Sequence, residues 1–183
     1  DAELMRDVLQ EHGFRVQSFL ANKAVVKADV EGAFGALMEE YKDFTMGRLY
    51  VVMVGHGVLD AQGNASFCCF DYEEGAKAYA TSLPVDNIKN MAGRIGIGHQ
   101  FFHFDFCHAG GLFAPTPRGG GARWVAAHAR APAIVGATAV TAAQSALEVE
   151  CEGPGEGHGL FTAAVARGLR GGAFVGRDAA TSA

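Results

Sequence analysis

The chain has 183 residues, 49% of them hydrophobic and 19% charged, with a formal net charge of -5 and a pI of about 5.8. These values fit one domain with a full core and exclude a disordered chain. A nucleic-acid binder would carry a basic stripe, whereas the arginines at 118, 123 and 130 are sparse, so no nucleic-acid partner is expected.

The four cysteines, Cys68, Cys69, Cys107 and Cys151, form no CxxC pair. They are too few for a secreted disulfide framework, so a reducing, cytoplasmic compartment is expected. No run reaches the ~18 apolar residues of a membrane span. No signal-peptide pattern is visible, so no membrane partner is expected. Asp1 opens directly into helical periodicity, and we expect the chain to be part of a longer protein.

Apolar residues at 2, 4, 5, 8 and 9 predict a helix over 2–12, with Asp1 as N-cap and Gly13 as stop. Phe14, Val16, Ser18 and Leu20 alternate with the residues between them, as in a short strand or extended segment. A second amphipathic helix is expected over 28–41, capped by Asp29. The apolar run Arg48–Val54 reads as a buried parallel strand, and Gly55-His56-Gly57 closes it. Gln62-Gly63-Asn64 signals a turn, followed by a hairpin through 66–72. A helix is expected over 87–97.

Gln100–Phe106 reads as another strand, with Phe102, Phe104 and Phe106 on one face and Phe101, His103 and Asp105 on the other. Cys107-His108-Ala109-Gly110-Gly111 follows at its end. Residues 112–131, rich in Pro, Gly and Arg, predict a flexible loop. Ala133–Ala139 is a third strand, 153–158 a loop, and 160–169 a closing helix ended by Gly171-Gly172. Strands alternating with helices give an α/β class with a mostly parallel sheet.

Sites in such sheets form outside the carboxyl ends of the strands. Two strands here end in reactive residues, His56 and Cys107. A thiol attacks as the thiolate, and an adjacent imidazole either takes its proton or, once charged, stabilises the thiolate. The backbone N–H groups of Gly57 and Cys107 are candidates for an oxyanion hole, each donor worth roughly 2.7–4 kcal/mol in known acyl-transfer sites. Gly57 and Gly110 would leave room for a substrate carbonyl.

His99, His103, Cys107 and His108 include a spacing of four, which would suit metal ligands on one face of a helix. Phe alternation makes this stretch a strand, in which His103 and Cys107 lie about 13 Å apart and cannot share one ion. His103 then reads as a hydrogen-bonded core residue.

Four segments resemble the caspase/metacaspase family of cysteine peptidases. Leu49–Gly57 resembles the family strand that ends in Gly-His-Gly. Phe104-Asp-Phe-Cys-His-Ala-Gly-Gly111 is similar to the metacaspase motif Asp-x-Cys-x-Ser-Gly, with Ala109 where Ser is usual. Ser82-Leu-Pro-Val-Asp86 resembles the Leu-Pro-x-Asp between the two strands, and Gly157-His-Gly-Leu-Phe-Thr162 the segment before the last helix. They occur in family order over residues 49–171.

The resemblance implies a caspase-like three-layer sandwich with a mostly parallel central sheet and helices on both faces, here as one domain over 1–183. It implies that the family's first strand would precede Asp1, so the domain is expected to be N-terminally truncated. It implies a cysteine endopeptidase acting on protein or peptide substrates, with His56 as base and Cys107 as nucleophile. Gly57 and Cys107 would form the oxyanion hole. Asp105 matches the metacaspase acid that lines the primary specificity pocket, which favours cleavage after Arg or Lys by charge pairing. The bland alternative for Asp105 is a strand-end carboxylate bonded to backbone. No cofactor is needed for the chemistry, but the resemblance implies calcium activation through Asp71 and Asp86. Self-cleavage is expected in the 112–131 loop. The competing reading is a catalytically silent homologue that serves as a protein-interaction module. The oligomeric state is left open.

Overall fold

The computed structural model describes residues 1–19, 24–44, 46–59, 63–109, 133–139, 148–149 and 158–172. The expected 112–131 loop lies outside them, as does almost all of the 153–158 loop.

The central sheet has three parallel strands in the order β1 (Arg48–Val54), β5 (His99–Asp105), β6 (Ala133–Thr138). Register runs from Arg48↔His99 to Val54↔Asp105 in the first pair and from His99↔Ala133 to Phe104↔Thr138 in the second. Past Val54 the chain turns into a smaller antiparallel sheet of β2 (Gly57–Leu59), β3 (Ala65–Cys68) and β4 (Ser82–Pro84). A two-residue pair, β7 (Glu148–Val149) and β8 (His158–Gly159), leads into the last helix.

Helices cover both faces of the central sheet. On one face lie α2 (Lys27–Tyr41) and α4 (Val85–Gly93). Val30, Phe34, Leu37, Met38 and Tyr41 form a stripe at helical spacing that packs on Val51, Met53, Phe102 and Phe104. On the other face, α1 (Ala2–Glu11) and α5 (Leu160–Leu169) bring Met5, Val8 and Ala166 onto Tyr50 and Val52. A sheet covered on both sides needs apolar residues at every position, which explains the unbroken run from Leu49 to Val54. Phe102, Phe104 and Phe106 are buried on the α2/α4 side, while Phe101 stacks on Tyr50 at 5.7 Å on the other. Full burial of each such ring contributes about 1.5–3 kcal/mol. A four-residue helix, α3 (Ala78–Thr81), follows a single 3-10 turn over Gly75–Lys77.

Several local expectations are corrected. Asp29 is not the N-cap of α2; it stands three residues after Val26, and its carboxylate reaches back to the Val26 N–H at 3.0 Å. Asp1 occupies the N-cap position of α1 but spends its carboxylate on the Gly159 N–H at 2.9 Å. The hairpin is centred earlier than expected, since β2 pairs antiparallel with β3, from Gly57↔Phe67 to Leu59↔Ala65. The fourth helix starts at Val85, directly after Pro84, and ends at Gly93. Residues 14–19 join no sheet among the described residues. Residues 16–19 line, with α1, α2 and all of β1 from Leu49, a cavity of about 910 Å³ that reaches His56. Among the described residues no helix is long and apolar enough to cross a membrane.

Candidate functional site

His56 and Cys107 each stand two residues past the last register pair, Val54↔Asp105. The pairing extends one step further, because the Gly55 N–H donates to the Asp105 carbonyl at 3.1 Å. Adjacent strands lie about 4.7–4.9 Å apart, so both residues leave the sheet at the same edge. His56 is exposed and Cys107 half-buried.

Three local features fix this edge. The chain leaves β5 in a tight turn closed by the Ala109 N–H on the Phe106 carbonyl at 3.2 Å, with Cys107 and His108 at its corners. His108 carries φ 64°, a conformation that costs a non-glycine residue about 1–3 kcal/mol and that clusters at functional sites. On the His56 side, the Cys68 N–H donates to the His56 carbonyl at 2.9 Å, which ties His56 to the smaller sheet. Between the two strands, Gly57 meets Cys107. A β-carbon on Gly57 would lie 2.2 Å from the Cys107 carbonyl oxygen and 2.5 Å from Cδ2 of Phe106. The α-carbon face of Gly57 is therefore filled by the Cys107 carbonyl. Gly110 lies outside the described residues.

Asp105 is 6% exposed, and its Oδ2 accepts the Thr162 N–H at 3.2 Å and the Thr162 hydroxyl at 2.5 Å. Thr162 sits in the first turn of α5, whose N–H groups have no partner within the helix. Asp105 and Asp1 together supply two of them, at Thr162 and Gly159. Gly159 permits this convergence, since a β-carbon there would stand 2.8 Å from Oδ2 of Asp105.

The Thr162 hydroxyl has one proton and gives it to Asp105, so it accepts from Nε2 of the buried His103 at 3.1 Å. His103 is then the Nε2–H tautomer, and its Nδ1 has no partner. Burial pushes this imidazole down to about 4, against the opposing pull of Asp105. Its ring stacks on Phe161 at 4.7 Å. The expected hydrogen-bonded core role of His103 holds, with one nitrogen left over.

Asp71 and Asp86, expected as calcium ligands, are each engaged otherwise. Asp71 accepts the Lys27 N–H at 3.2 Å, and Asp86 pairs with Lys89 at 2.7 Å. Among the described residues no three His, Cys, Asp or Glu side chains gather to hold a metal ion. Calcium takes six to eight oxygens, so these two side chains do not by themselves fit it as a site.

Two groups at this edge are not evident from the sequence. Thr162, the end of the Gly157–Thr162 motif, links His103 to Asp105. Cys68 is adjacent to Cys69, yet burial first and then Cys107 push its thiol up. Neither link has a signature in sequence spacing, because each joins segments 39 to 59 residues apart. Cys69 is buried, and its thiol is pushed up to about 11 by burial first and then by Asp71.

Comparison with curated proteins finds no match. The strand carrying the Gly-His-Gly, the parallel neighbour ending in the cysteine and the helices on both faces agree with a different comparison: the family model described as the caspase domain matches residues 1–177. The chain belongs to the caspase domain family of cysteine peptidases.

Proposed function

We propose that the chain is a cysteine endopeptidase that cleaves after Arg or Lys, with Cys107 as nucleophile and His56 as base. The observation that supports this most is the parallel register, in which His56 and Cys107 both follow the Val54↔Asp105 pair by two residues. In the proposed reaction His56 takes the thiol proton, and Cys107 Sγ attacks the scissile carbonyl carbon. The N–H groups of Gly57 and Cys107 hold the oxygen as it gains charge. The imidazolium then protonates the leaving amine, the C–N bond breaks, and a thioester remains. Water, deprotonated by His56, hydrolyses the thioester and restores the thiol.

The basic preference rests on the charge of Asp105, two residues before the nucleophile. Its bonds to Thr162 make it a cap for α5 as well, so Asp105→Asn tests both roles at once. We expect a loss of stability of about 1–3 kcal/mol from the cap and a fall in the Arg-to-Asp selectivity ratio.

The decisive assay is turnover of Arg, Lys and Asp fluorogenic peptides, with and without calcium, beside Cys107→Ala. Hydrolysis of Arg and Lys peptides that vanishes in Cys107→Ala is the expected result. Turnover unchanged in that variant would overturn Cys107 as nucleophile, and a wild type without turnover would leave the interaction-module reading. Preference for Asp peptides would overturn the role of Asp105. Intact masses of the wild type and Cys107→Ala that differ only by the sulfur atom lost in the substitution would exclude self-cleavage in the 112–131 loop.

A further inference from the structure

Cys68 has no part in the proposed reaction, yet it stands beside the nucleophile. It is the last residue of β3, half-buried, and its N–H is bonded to the His56 carbonyl at 2.9 Å. Cys107 approaches the same dipeptide from β5, with its carbonyl against the α-carbon of Gly57. The residues before the two cysteines, Phe67 and Phe106, hold their rings 5.3 Å apart, edge to face. The two cysteines therefore flank His56-Gly57 from neighbouring elements, and both are free thiols. The Cys68 thiol responds to the charge of Cys107.

We propose that Cys68 is a resolving cysteine for Cys107, so that peroxide converts the pair into a reversible disulfide and switches the peptidase off. The switch rests on the reading of Cys107 as nucleophile; the disulfide does not depend on it. In the first step the Cys107 thiolate attacks one oxygen of hydrogen peroxide. The O–O bond breaks, hydroxide leaves, and Cys107 carries a sulfenic acid. Cys68 sulfur then attacks the Cys107 sulfur, the S–OH bond breaks, and the hydroxide leaves as water with the Cys68 proton. Two thiols and one peroxide give one disulfide and two waters, and the two electrons pass from sulfur to peroxide. Without a resolving thiol, sulfenic acid oxidises on to sulfinic acid, which thiol reductants do not reverse. The raised Cys68 thiol makes the closing step faster as pH rises, because attack requires the thiolate. Cys69 is the internal contrast: it is buried against the core.

The test treats the full chain with a slight excess of hydrogen peroxide, then maps peptides by mass spectrometry without reduction. The expected product has lost two hydrogens, and its Cys68 and Cys107 peptides are linked, also in a Cys69→Ser background. Peptidase activity falls about tenfold or more and returns with dithiothreitol. Cys68→Ser keeps the basal activity, but its loss under peroxide is not restored, and Cys107 gains two oxygens. A wild type with no linked peptide, a link from Cys107 to Cys69 or Cys151 instead, or recovery of Cys68→Ser equal to the wild type each overturns the proposal. The linkage is read by mass, independently of activity. A link in a protein whose turnover is unchanged in Cys107→Ala would support the disulfide while overturning the nucleophile and the switch. Cys107-dependent turnover without a link would do the reverse.

Discussion

Gly57 shows how little room separates the two strands at the edge where His56 and Cys107 stand. The atom that a side chain would strike is the Cys107 carbonyl, part of the backbone, and it cannot swing aside as a flexible side chain can. Gly57→Ala must therefore push β2 away from the turn at Cys107. We expect a cost of about 1–3 kcal/mol in stability from overpacking and a fall in kcat/KM of about a hundredfold, since small displacements of reacting groups cost that much. The control is Gly32→Ala in α2, where a new β-carbon meets nothing within 4 Å. That change should stabilise the protein by roughly 0.5–1 kcal/mol through helix propensity. Denaturant midpoints and peptide turnover on the two variants check both; a neutral Gly57→Ala would show that the contact relaxes freely. The sequence placed His56 and Cys107 at strand ends because apolar runs stop there. It could not tell that Gly57 makes room for the Cys107 carbonyl, because that contact joins residues 50 apart across two strands.

At the scale of elements, the junction of α4 and β5 depends on Gln100. This side chain is fully buried, and its Nε2 donates to the Ala92 carbonyl at 2.8 Å. Its Oε1 has no partner. The Ala92 carbonyl also accepts the Ile95 N–H at 3.0 Å, so it keeps one bond when Gln100 is replaced. Gln100→Met removes the orphan oxygen together with the donor and keeps the volume, and should cost less than about 1.5 kcal/mol. Gln100→Glu places a carboxyl in the same dry position. A buried carboxyl shifted by several pKa units costs roughly 3 kcal/mol or more at neutral pH. Urea denaturation at pH 7 ranks the pair, and a Glu variant at least as stable as the Met variant would refute this account of the junction. Both long strands, α1, α2 and the closing helix were legible from periodicity, because each has a continuous apolar stripe facing one core. Residues 14–19 alternate just as a strand does and still join no sheet among the described residues. Alternation reports a half-buried extended chain; whether a ladder forms depends on a neighbour, which periodicity does not contain. The bounds of α4 differ from the periodicity because the helix starts at Val85, behind Pro84, and stops at Gly93, while Ile95 and Ile97 prolong the apolar pattern into the link.

Across the whole molecule, the buried chain His103–Thr162–Asp105 ties the central sheet to the last helix and gives the fold a built-in response to acid. The folded imidazole sits at about 4, well below its ordinary value near 6.5, because burial disfavours its charged form. Unfolding therefore binds a proton between those two values. The stability contributed by a neutral His103 is fully present above about pH 6.5 and is lost as pH falls toward 4, at about 1.4 kcal/mol per pH unit. Over that window the loss is roughly 3 kcal/mol. The opposing attraction of Asp105 is too weak to hold a proton on the ring, since the Thr162 hydroxyl stands between them and spends its own proton on Asp105. His103→Gln can donate through its amide to the same hydroxyl but does not titrate. We expect it to be less stable than the wild type at pH 7, where it loses the stacking on Phe161, and to close that gap by pH 4.5. Thermal melts of both proteins at half-unit steps from pH 7.5 to 4.5 measure the difference directly. Carboxylates elsewhere, such as Glu11 held low by Arg170, titrate in both proteins and cancel. A gap that stays constant with pH would mean that His103 is not the proton acceptor on unfolding, and that the sheet and α5 are joined by packing alone.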